Sequence, residues 1–422
     1  MRLPRLSGGG LAIAVVATLT AACSGATEAG SNTVDTASAA CRSSTGVTAD
    51  TIKLGVLTAL SGPYASAGVN ISQVNQAFWA YVNDHGGIDG RKVELEIRDH
   101  QFNAQQAIQQ YKNIAGDVFA VASSLGSPAN NALGPQAAKD CVVVMSPGGG
   151  TSATTPTVFA TYTPYEYEAI NMLDWYRKQP GNEKARVAVV YQDDALGKPA
   201  LAAIQYAAPK LGLELVATVP LTGTEQNFSG QVAKLQAARP DVIYVAATYI
   251  AANGIVGQAD STGNTDWEYL VHGSAVSNDY LKLPTAKTFE TRVFAVDTVP
   301  VYASGLPGAK TAGDIIHAAF PTLALGDIAG LTAWVGLDEL YQALQAASKA
   351  NKLTREGLLE TVRTLKVRSD VVPTDYAFGS IPGIPNAPYG ASGVMQLSSS
   401  TPGGWRILAP FEQSPVADGF RP

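Results

Sequence analysis

Charge is scarce in this sequence. Asp, Glu, Lys and Arg make up 15 % of its 422 residues, against 46 % apolar residues. A disordered chain needs the opposite balance, so the apolar surplus points to one or more packed domains. The basic residues are scattered and the formal net charge is −6. No concentrated cationic face is available to displace counterions from phosphates, which excludes nucleic acid as a partner. Histidine is rarer still: His85, His100, His272 and His317 are the only four, and none stands at HExxH spacing or beside a cysteine pair. No Gly-x-Ser-x-Gly elbow is present, and Gly148-Gly149-Gly150-Thr151 lacks the lysine of a phosphate-binding loop. With no metal constellation and no activated nucleophile, neither an enzyme nor a cofactor is expected.

What is present begins with a segment that does not belong to the fold. Arg2 and Arg5 precede a short apolar stretch, Leu11 to Leu19, too short to span a bilayer as a stable helix. It reads as a signal peptide over residues 1–22. Leu19-Thr20-Ala21-Ala22-Cys23 resembles a bacterial lipobox, whose cysteine is lipidated and becomes the mature N-terminus, although Thr20 stands where such boxes usually carry Leu. The expectation is an exported chain held on the outer face of the cell membrane through lipid on Cys23. Secretion after an ordinary cleavage is the alternative. Residues 23–45, rich in Ser, Thr, Ala and Gly, read as a flexible tether.

Two further cysteines, Cys41 and Cys141, lie just before the first expected strand and just before the strand expected at Val142–Met145. Strand starts share one edge of a parallel sheet, and exported proteins favour paired cysteines, so a Cys41–Cys141 disulfide is expected. Two unpaired thiols remain the alternative.

From Thr51 onward, short apolar runs alternate with amphipathic stretches. Strands are expected at Ile52–Leu57, Val93–Asp99, Val118–Ala122 and Val142–Met145, and helices at Ala104–Gly116 and Asn131–Lys139. Ile71, Val74, Phe78 and Val82 recur at helical spacing before Gly86-Gly87. A second series runs from Tyr165 to Val271, with helices at Lys198–Leu211, Ser229–Ala238 and Asn253–Ser261. Such repetition implies parallel sheets with helices on both faces. A last strand at Val293–Asp297 precedes helices at Ala309–Phe320, Gly330–Lys349 and Thr354–Leu365, then a tail rich in Pro, Gly and Ser. The expected fold is α/β: two doubly wound parallel-sheet lobes joined by a hinge of three crossings. Lobe 1 takes residues 46–163 with 299–370, and lobe 2 takes 164–298 with 371–422.

Several segments carry a family resemblance. Thr51-Ile52-Lys53-Leu54-Gly55-Val56-Leu57 followed by Ser61-Gly62-Pro63 resembles an opening strand and ligand loop. Asn83-Asp84-His85-Gly86-Gly87-Ile88-Asp89-Gly90-Arg91-Lys92-Val93, Ser146-Pro147 and Phe228-Ser229 follow in matching order. Together they resemble the leucine/isoleucine/valine-binding protein family, the receptors of branched-chain amino-acid ABC importers, over about Gly46 to Leu408. The resemblance implies a type I periplasmic-binding-protein fold that closes on a small-molecule ligand and delivers it to an ABC permease. A monomer is expected. A receptor that signals to a membrane partner through the same clamp is the alternative.

In open α/β sheets, ligands sit beyond the carboxyl ends of strands, where helix N-termini attract anions. Three first-lobe loops qualify: Ser61 to Asn70 with Tyr64 and Ala67, Gly126-Ser127, and Gly148-Gly149-Gly150-Thr151. The resemblance places a carboxylate-binding serine at or near Ser127, with backbone contacts at Gly148 and Gly150. It also implies a second-lobe acid for a ligand's ammonium, yet the matching segment, Val271-His272-Gly273-Ser274-Ala275, holds none. Asp193, Asp194 and Glu166 are candidates to supply that charge from another direction. Leu196 stands where the family carries an aromatic, and Thr248 ends the stretch matching its Gly-Gly-Tyr, with Tyr249 one step late. Tyr64, Tyr165, Tyr249 and Trp334 are candidate aromatic lining. The expected ligand is a small carboxylate or amide with an apolar or aromatic portion.

Overall fold

A computed structural model describes residues 34, 36, 38–62, 64–148, 150, 155–299 and 301–421. The signal peptide and Cys23 lie outside these residues, as do most of the tether and two expected site residues, Gly149 and Thr151.

The first series of elements is β1 (Thr51–Thr58), α1 (Ala65–Asp84), β2 (Lys92–Asp99), α2 (Ala104–Ile114), β3 (Ala120–Ser124), α3 (Ser127–Lys139), β4 (Val144–Ser146) and β5 (Val158–Ala160). Its strands form one sheet in the order β2-β1-β3-β4-β5, parallel throughout. The helical spacing in α1 works as expected, since Ile71, Val74, Phe78 and Val82 are all buried. Asn103 starts α2 by accepting the N–H groups of Gln105 and Gln106, the bond expected of an N-cap.

The second series comprises α4 (Tyr165–Arg177), β6 (Arg186–Gln192), α5 (Lys198–Lys210), β7 (Glu214–Leu221), α6 (Ser229–Ala238), β8 (Val242–Ala246), α7 (Tyr249–Ser261), β9 (Glu268–Val271), α8 (Ala286–Arg292) and β10 (Val293–Asp297). Then come α9 (Pro307–Ala319), α10 (Ile328–Lys349), α11 (Arg355–Thr364), the short pair β11 (Lys366–Val367) and β12 (Tyr376–Ala377), and finally β13 (Ser392–Leu397) and β14 (Trp405–Glu412). The second sheet runs β14-β13-β10-β9-β8-β6-β7. Five of its strands are parallel, but β13 and β14 join antiparallel, an edge the strand-helix alternation did not announce.

The chain passes between the two sheets three times. It leaves the first after β5 for α4 and leaves the second after β10, so that α9 and α10 pack on α1 and β3. It then returns to β13. This last passage is a stretch and not a point at residue 370. Tyr376 still donates to Glu339 on α10 (2.5 Å) and Asn386 to the carbonyl of Val158 (3.0 Å), while Ile381, Ile384 and Ala387 already pack into the second core.

Two starts fall earlier than expected, and both matter for the site. Helix α3 begins at Ser127 and not at Asn131, because Gly126 takes the left-handed φ of 103° and Pro128 occupies the first turn. Helix α7 begins at Tyr249 and not at Asn253. Strand β5 was not expected at all, since three residues give no period to read.

At the opposite edge of the first sheet, Cys41 and Cys141 form a disulfide across 100 positions of sequence. Beside it the buried guanidinium of Arg355 donates to the carbonyls of Ala115 (2.6 Å), Val118 (2.8 Å) and Asp140 (3.1 Å). Helices α2 and α3 both end there, and their terminal carbonyls offer partial negative charge to the cation, which the Asp140 carboxylate also favours. The N–H groups of Arg355 and Glu356 in turn donate to the carbonyls of Ser43 and Cys41. The last residues of the stretch expected as tether, Cys41 to Ser43, are thereby pinned to the first lobe and are not free linker.

Candidate functional site

The carboxyl ends of the two sheets face each other across a cavity of about 80 Å³. The first lobe contributes Tyr64, Ala67 and Asn70 around the start of α1, Phe102 after β2, Gly126 and Ser127 at α3, and Pro147 and Gly148 after β4. Tyr162 and Tyr165 come from the first passage between lobes. The second lobe contributes Leu196, Tyr249 and the turn Gly273 to Ser277. Asp327, Ile328 and Thr332, at the start of α10, also line it, as do Val296, Thr298 and Met395.

One end of this cavity is built from the features that attract an anion. Ser127 sits in the first turn of α3, where N–H groups are unpaired within the helix and the dipole is positive. Gly150 lies so close to it that a Cβ there would stand 2.0 Å from Ser127 Oγ, which explains the glycine. The Tyr165 phenol is pushed up to about 12, chiefly by burial, with the Ser127 hydroxyl beside it acting in the other direction. It stays protonated and able to donate.

The cleft is spanned by direct bonds. Tyr64 Oη donates to the Ser274 carbonyl (3.1 Å), and Ser66 Oγ to Asp279 Oδ2 (2.7 Å). The Tyr64 ring lies between Phe102 (centroids 4.4 Å) and Tyr249 (5.4 Å), forming an aromatic wall shared by both lobes.

Behind the second-lobe turn is a buried polar layer. The Ser274 N–H donates to His272 Nδ1 (3.2 Å), so that nitrogen is the acceptor and the hydrogen of the neutral ring sits on Nε2. Burial pushes His272 down to about 3, which keeps it uncharged. Its ring packs on that of Tyr165 at 4.0 Å. Glu168, one turn into α4, accepts the Gly273 N–H (2.9 Å) and is pushed up to about 8, above all by burial, so it is protonated near neutral pH. Sequence reasoning passed over Glu168, since an acid in an amphipathic helix reads as solvated.

Nine of the expected site residues line the cavity: Tyr64, Ala67, Gly126, Ser127, Gly148, Tyr165, Leu196, Tyr249 and Ser274. Gly150 stands just behind, against Ser127. Three lie elsewhere. Ser61 is exposed and donates to Asp99 Oδ2 (2.6 Å). Thr248 precedes α7, buried and off the cavity. Trp334 faces away from the cleft and packs edge-on against Phe78 (4.8 Å). None of the acids considered for the missing charge reaches the lining: Asp193 pairs with Lys198 (3.1 Å), Asp194 accepts the Leu196 N–H (2.8 Å), and Glu166 is buried in α4, where desolvation raises it to about 7. The acid that does line the cavity is Asp327. Its pattern, Asp before an apolar helix, is legible as an N-cap, and its Oδ1 accepts the Gly330 N–H (2.8 Å). That this helix start faces the cleft was not legible. Phe102 and Tyr162 were missed for the same reason. Among the described residues, no group of three or more His, Cys, Asp or Glu stands close enough to hold a metal ion.

Two α/β lobes closing their strand ends over one cavity define a hinged solute-binding clamp. The chain belongs to the periplasmic binding protein family, whose model matches residues 51–389. It is 28 % identical over 220 residues to Leu/Ile/Val-binding protein homolog 3 of Brucella melitensis, a match covering 49 % of this chain and 57 % of that protein. It is 26 % identical over 224 residues to a chemotactic signal transduction substrate-binding protein of Halobacterium salinarum, covering 49 % and 52 %. The chain therefore spans little more than half the length of these curated relatives. Among solved structures, a fatty acid ABC transporter substrate-binding protein from Thermomonospora curvata superposes with a TM-score of 0.83 at 28 % identity, covering 89 % of this chain and 96 % of that one. These relatives are solute-binding proteins and not enzymes.

Proposed function

We propose that this protein is an extracytoplasmic solute-binding lipoprotein. It captures a small carboxylate-bearing molecule between lobes at 46–163 with 299–370 and 164–298 with 371–422, and delivers it to an ABC permease. The observation that carries this reading is the cavity itself: an anion-attracting α3 N-terminus and an aromatic wall, closed over by Tyr64–Ser274. Its volume supports a small ligand. On a scale where one water needs roughly 10–15 Å³, 80 Å³ admits a carboxylate with a short apolar or aromatic portion, and a long acyl chain would require the lobes to part. The ligand contacts are Ser127, the backbone at Gly148 and Gly150, and the Tyr64, Tyr165 and Tyr249 rings. Lipid on Cys23 holds the chain at the membrane, and the clamp works as a monomer.

Native mass spectrometry of gently purified protein tests the reading directly. A retained small acid is expected, together with a ligand-dependent rise in melting temperature. No retained mass, and no shift with any carboxylate tried, would sink it. Conversion of Cys23 to Ser, followed by fractionation, tests the anchor, and the variant is expected in the soluble fraction. A sensing role is the second reading, favoured by the similarity to the chemotactic relative. It predicts a complex with a membrane signalling protein and wild-type uptake in a deletion strain.

A further inference from the structure

Trp334, the expected lining aromatic that turns away from the cleft, opens onto a groove of about 210 Å³ between α1, α9 and α10. The groove shares no lining residue with the cleft. Its walls are aromatic. Phe78 and Tyr81 come from α1, and Trp334 and Tyr341 from α10, with Phe78 edge-on to both Trp334 (4.8 Å) and Tyr341 (6.3 Å). Tyr81 is 40 % exposed, so its ring is open to a solute, whereas Trp334 is 7 % exposed. A tryptophan so buried usually places its indole N–H on a partner. The N–H of Trp334 has none among the described residues, and the space beside the ring is the groove.

Two carboxylates complete this lining. Asp338, four residues after Trp334 on α10, accepts the Gln342 amide through Oδ2 (2.8 Å), and its other oxygen is unoccupied. Asp370, after β11, lies so close over Gly308 that no Cβ would fit there. Burial raises Asp338 to about 6, and the Asp370 charge adds to the rise against the Gln342 bond, so each acid lies in the field of the other. No Lys or Arg lines the groove, and neither acid forms an ion pair among the described residues. Lys310 is engaged by Asp314 (2.5 Å) and Lys366 faces Asp375 (3.9 Å), while Arg368 meets Gln342 through its backbone alone. Exposed His85 is the remaining titratable lining group apart from the tyrosines, and its Nδ1 donates to the Tyr81 carbonyl (2.7 Å).

We propose that this groove is a second binding site, for a small organic cation that also carries a hydrogen-bond acceptor. The rings offer the negative faces that attract a cationic head, Asp338 and Asp370 supply its counter-charge, and the Trp334 N–H donates to the acceptor. The same two acids repel a simple carboxylate, so the groove and the cleft select opposite charges. The site stands whether or not the cleft holds the solute proposed above.

Two pairs of probes test it, each matched in shape and hydroxyl group but not in charge: choline against 3,3-dimethyl-1-butanol, and tyramine against 4-propylphenol. None carries a carboxylate for the cleft. The full chain is titrated with each by calorimetry. The better cation is expected to bind at least ~10-fold more tightly than its neutral partner, the scale of a cation–π contact together with a partly exposed charge pair. In the Asp338→Asn, Asp370→Asn double variant the ratio is expected to fall to about threefold or less, which the rings alone can supply. Asn keeps the shape of Asp and can accept the Gln342 amide, so this variant should melt as the wild type does. Asp370→Asn alone, at an exposed position, should lower the ratio about twofold. Trp334→Phe keeps a ring against Phe78 but lacks the N–H, and should weaken both members of each pair alike, about fivefold. Tyr64→Phe, in the cleft, should change none of these affinities. Equal binding within each pair overturns the inference, as does binding of none of the four at up to ~10 mM, or a preference undiminished in the double variant. Each of these results leaves the solute clamp of the cleft standing.

Discussion

Replacing Glu168 by Gln should make the protein more stable, and only above about pH 5. Glu168 is buried behind the second-lobe turn, accepts the Gly273 N–H through Oε2, and has no partner for Oε1. Its carboxyl ordinarily titrates at 4.5 and in the folded chain at about 8. Between those values the folded state holds a proton that the unfolded chain has released, so stability falls as pH rises through the window, by about 1.4 kcal/mol per pH unit. From this the acid costs the fold under 1 kcal/mol at pH 5 but about 3 kcal/mol at pH 7. Gln matches the shape of the protonated acid and its Oε1 can accept the same N–H, yet it carries no titration. Urea unfolding of ligand-free wild type and Glu168→Gln at pH 5 and pH 7 should therefore show a stability difference that grows by about 2.5 kcal/mol in favour of the variant. Glu166, one pair of residues earlier, also titrates high but is present in both proteins, so the comparison isolates Glu168. A difference that is the same at both pH values would refute the reasoning, for it would mean that Glu168 is either ionised in the folded state or solvated. Glu168→Ala serves as a control, since it leaves the Gly273 N–H unpaired at every pH.

Other contacts yield simpler expectations. Arg355→Met removes the donors to three buried or part-buried carbonyls and should lower stability by about 3 kcal/mol in the same unfolding assay, and Arg355→Lys should recover only part of this because one ammonium does not span the three acceptors. The Cys41→Ser, Cys141→Ser double variant opens a loop closed across 100 positions and should lose about 2–4 kcal/mol, and reduction of the wild type should reproduce the loss. Tyr64→Phe deletes one of the two hydrogen bonds described across the cleft, so affinity for the retained ligand should fall about fivefold, with a larger radius of gyration in scattering experiments before ligand is added.

The two-lobed fold was legible because it is written in local periodicities. The buried stripe of α1 and the compact apolar run of β1 are patterns that neighbours along the chain reveal to one another. What went unread lacks such a period. Strand β5 has three residues, and β13 and β14, expected only as short strands crossing back to the second lobe, gave no readable bounds or direction in a tail dense with turn formers. The early start of α3 depended on one glycine with a positive φ, a tertiary consequence that puts Ser127 at a helix N-terminus and not in a loop.

The candidate site divides along the same line. Its anion-attracting end lies in βα loops of consecutive strands, so strand order alone was enough to gather Gly126, Ser127 and Gly148. Asp327 arrives by a different route. It starts a helix that follows the second passage between lobes, about 200 residues downstream of Ser127, and nothing near it in sequence says which sheet that helix will cover. Only the packing of α10 on α1 and β3 turns its first residue toward the cleft. A search for an acid confined to the segment where the resemblance expects one was therefore bound to find none. The charge of the cleft is a property of every chain segment that lines it, and here the segment that decides it is the one the second passage brings back.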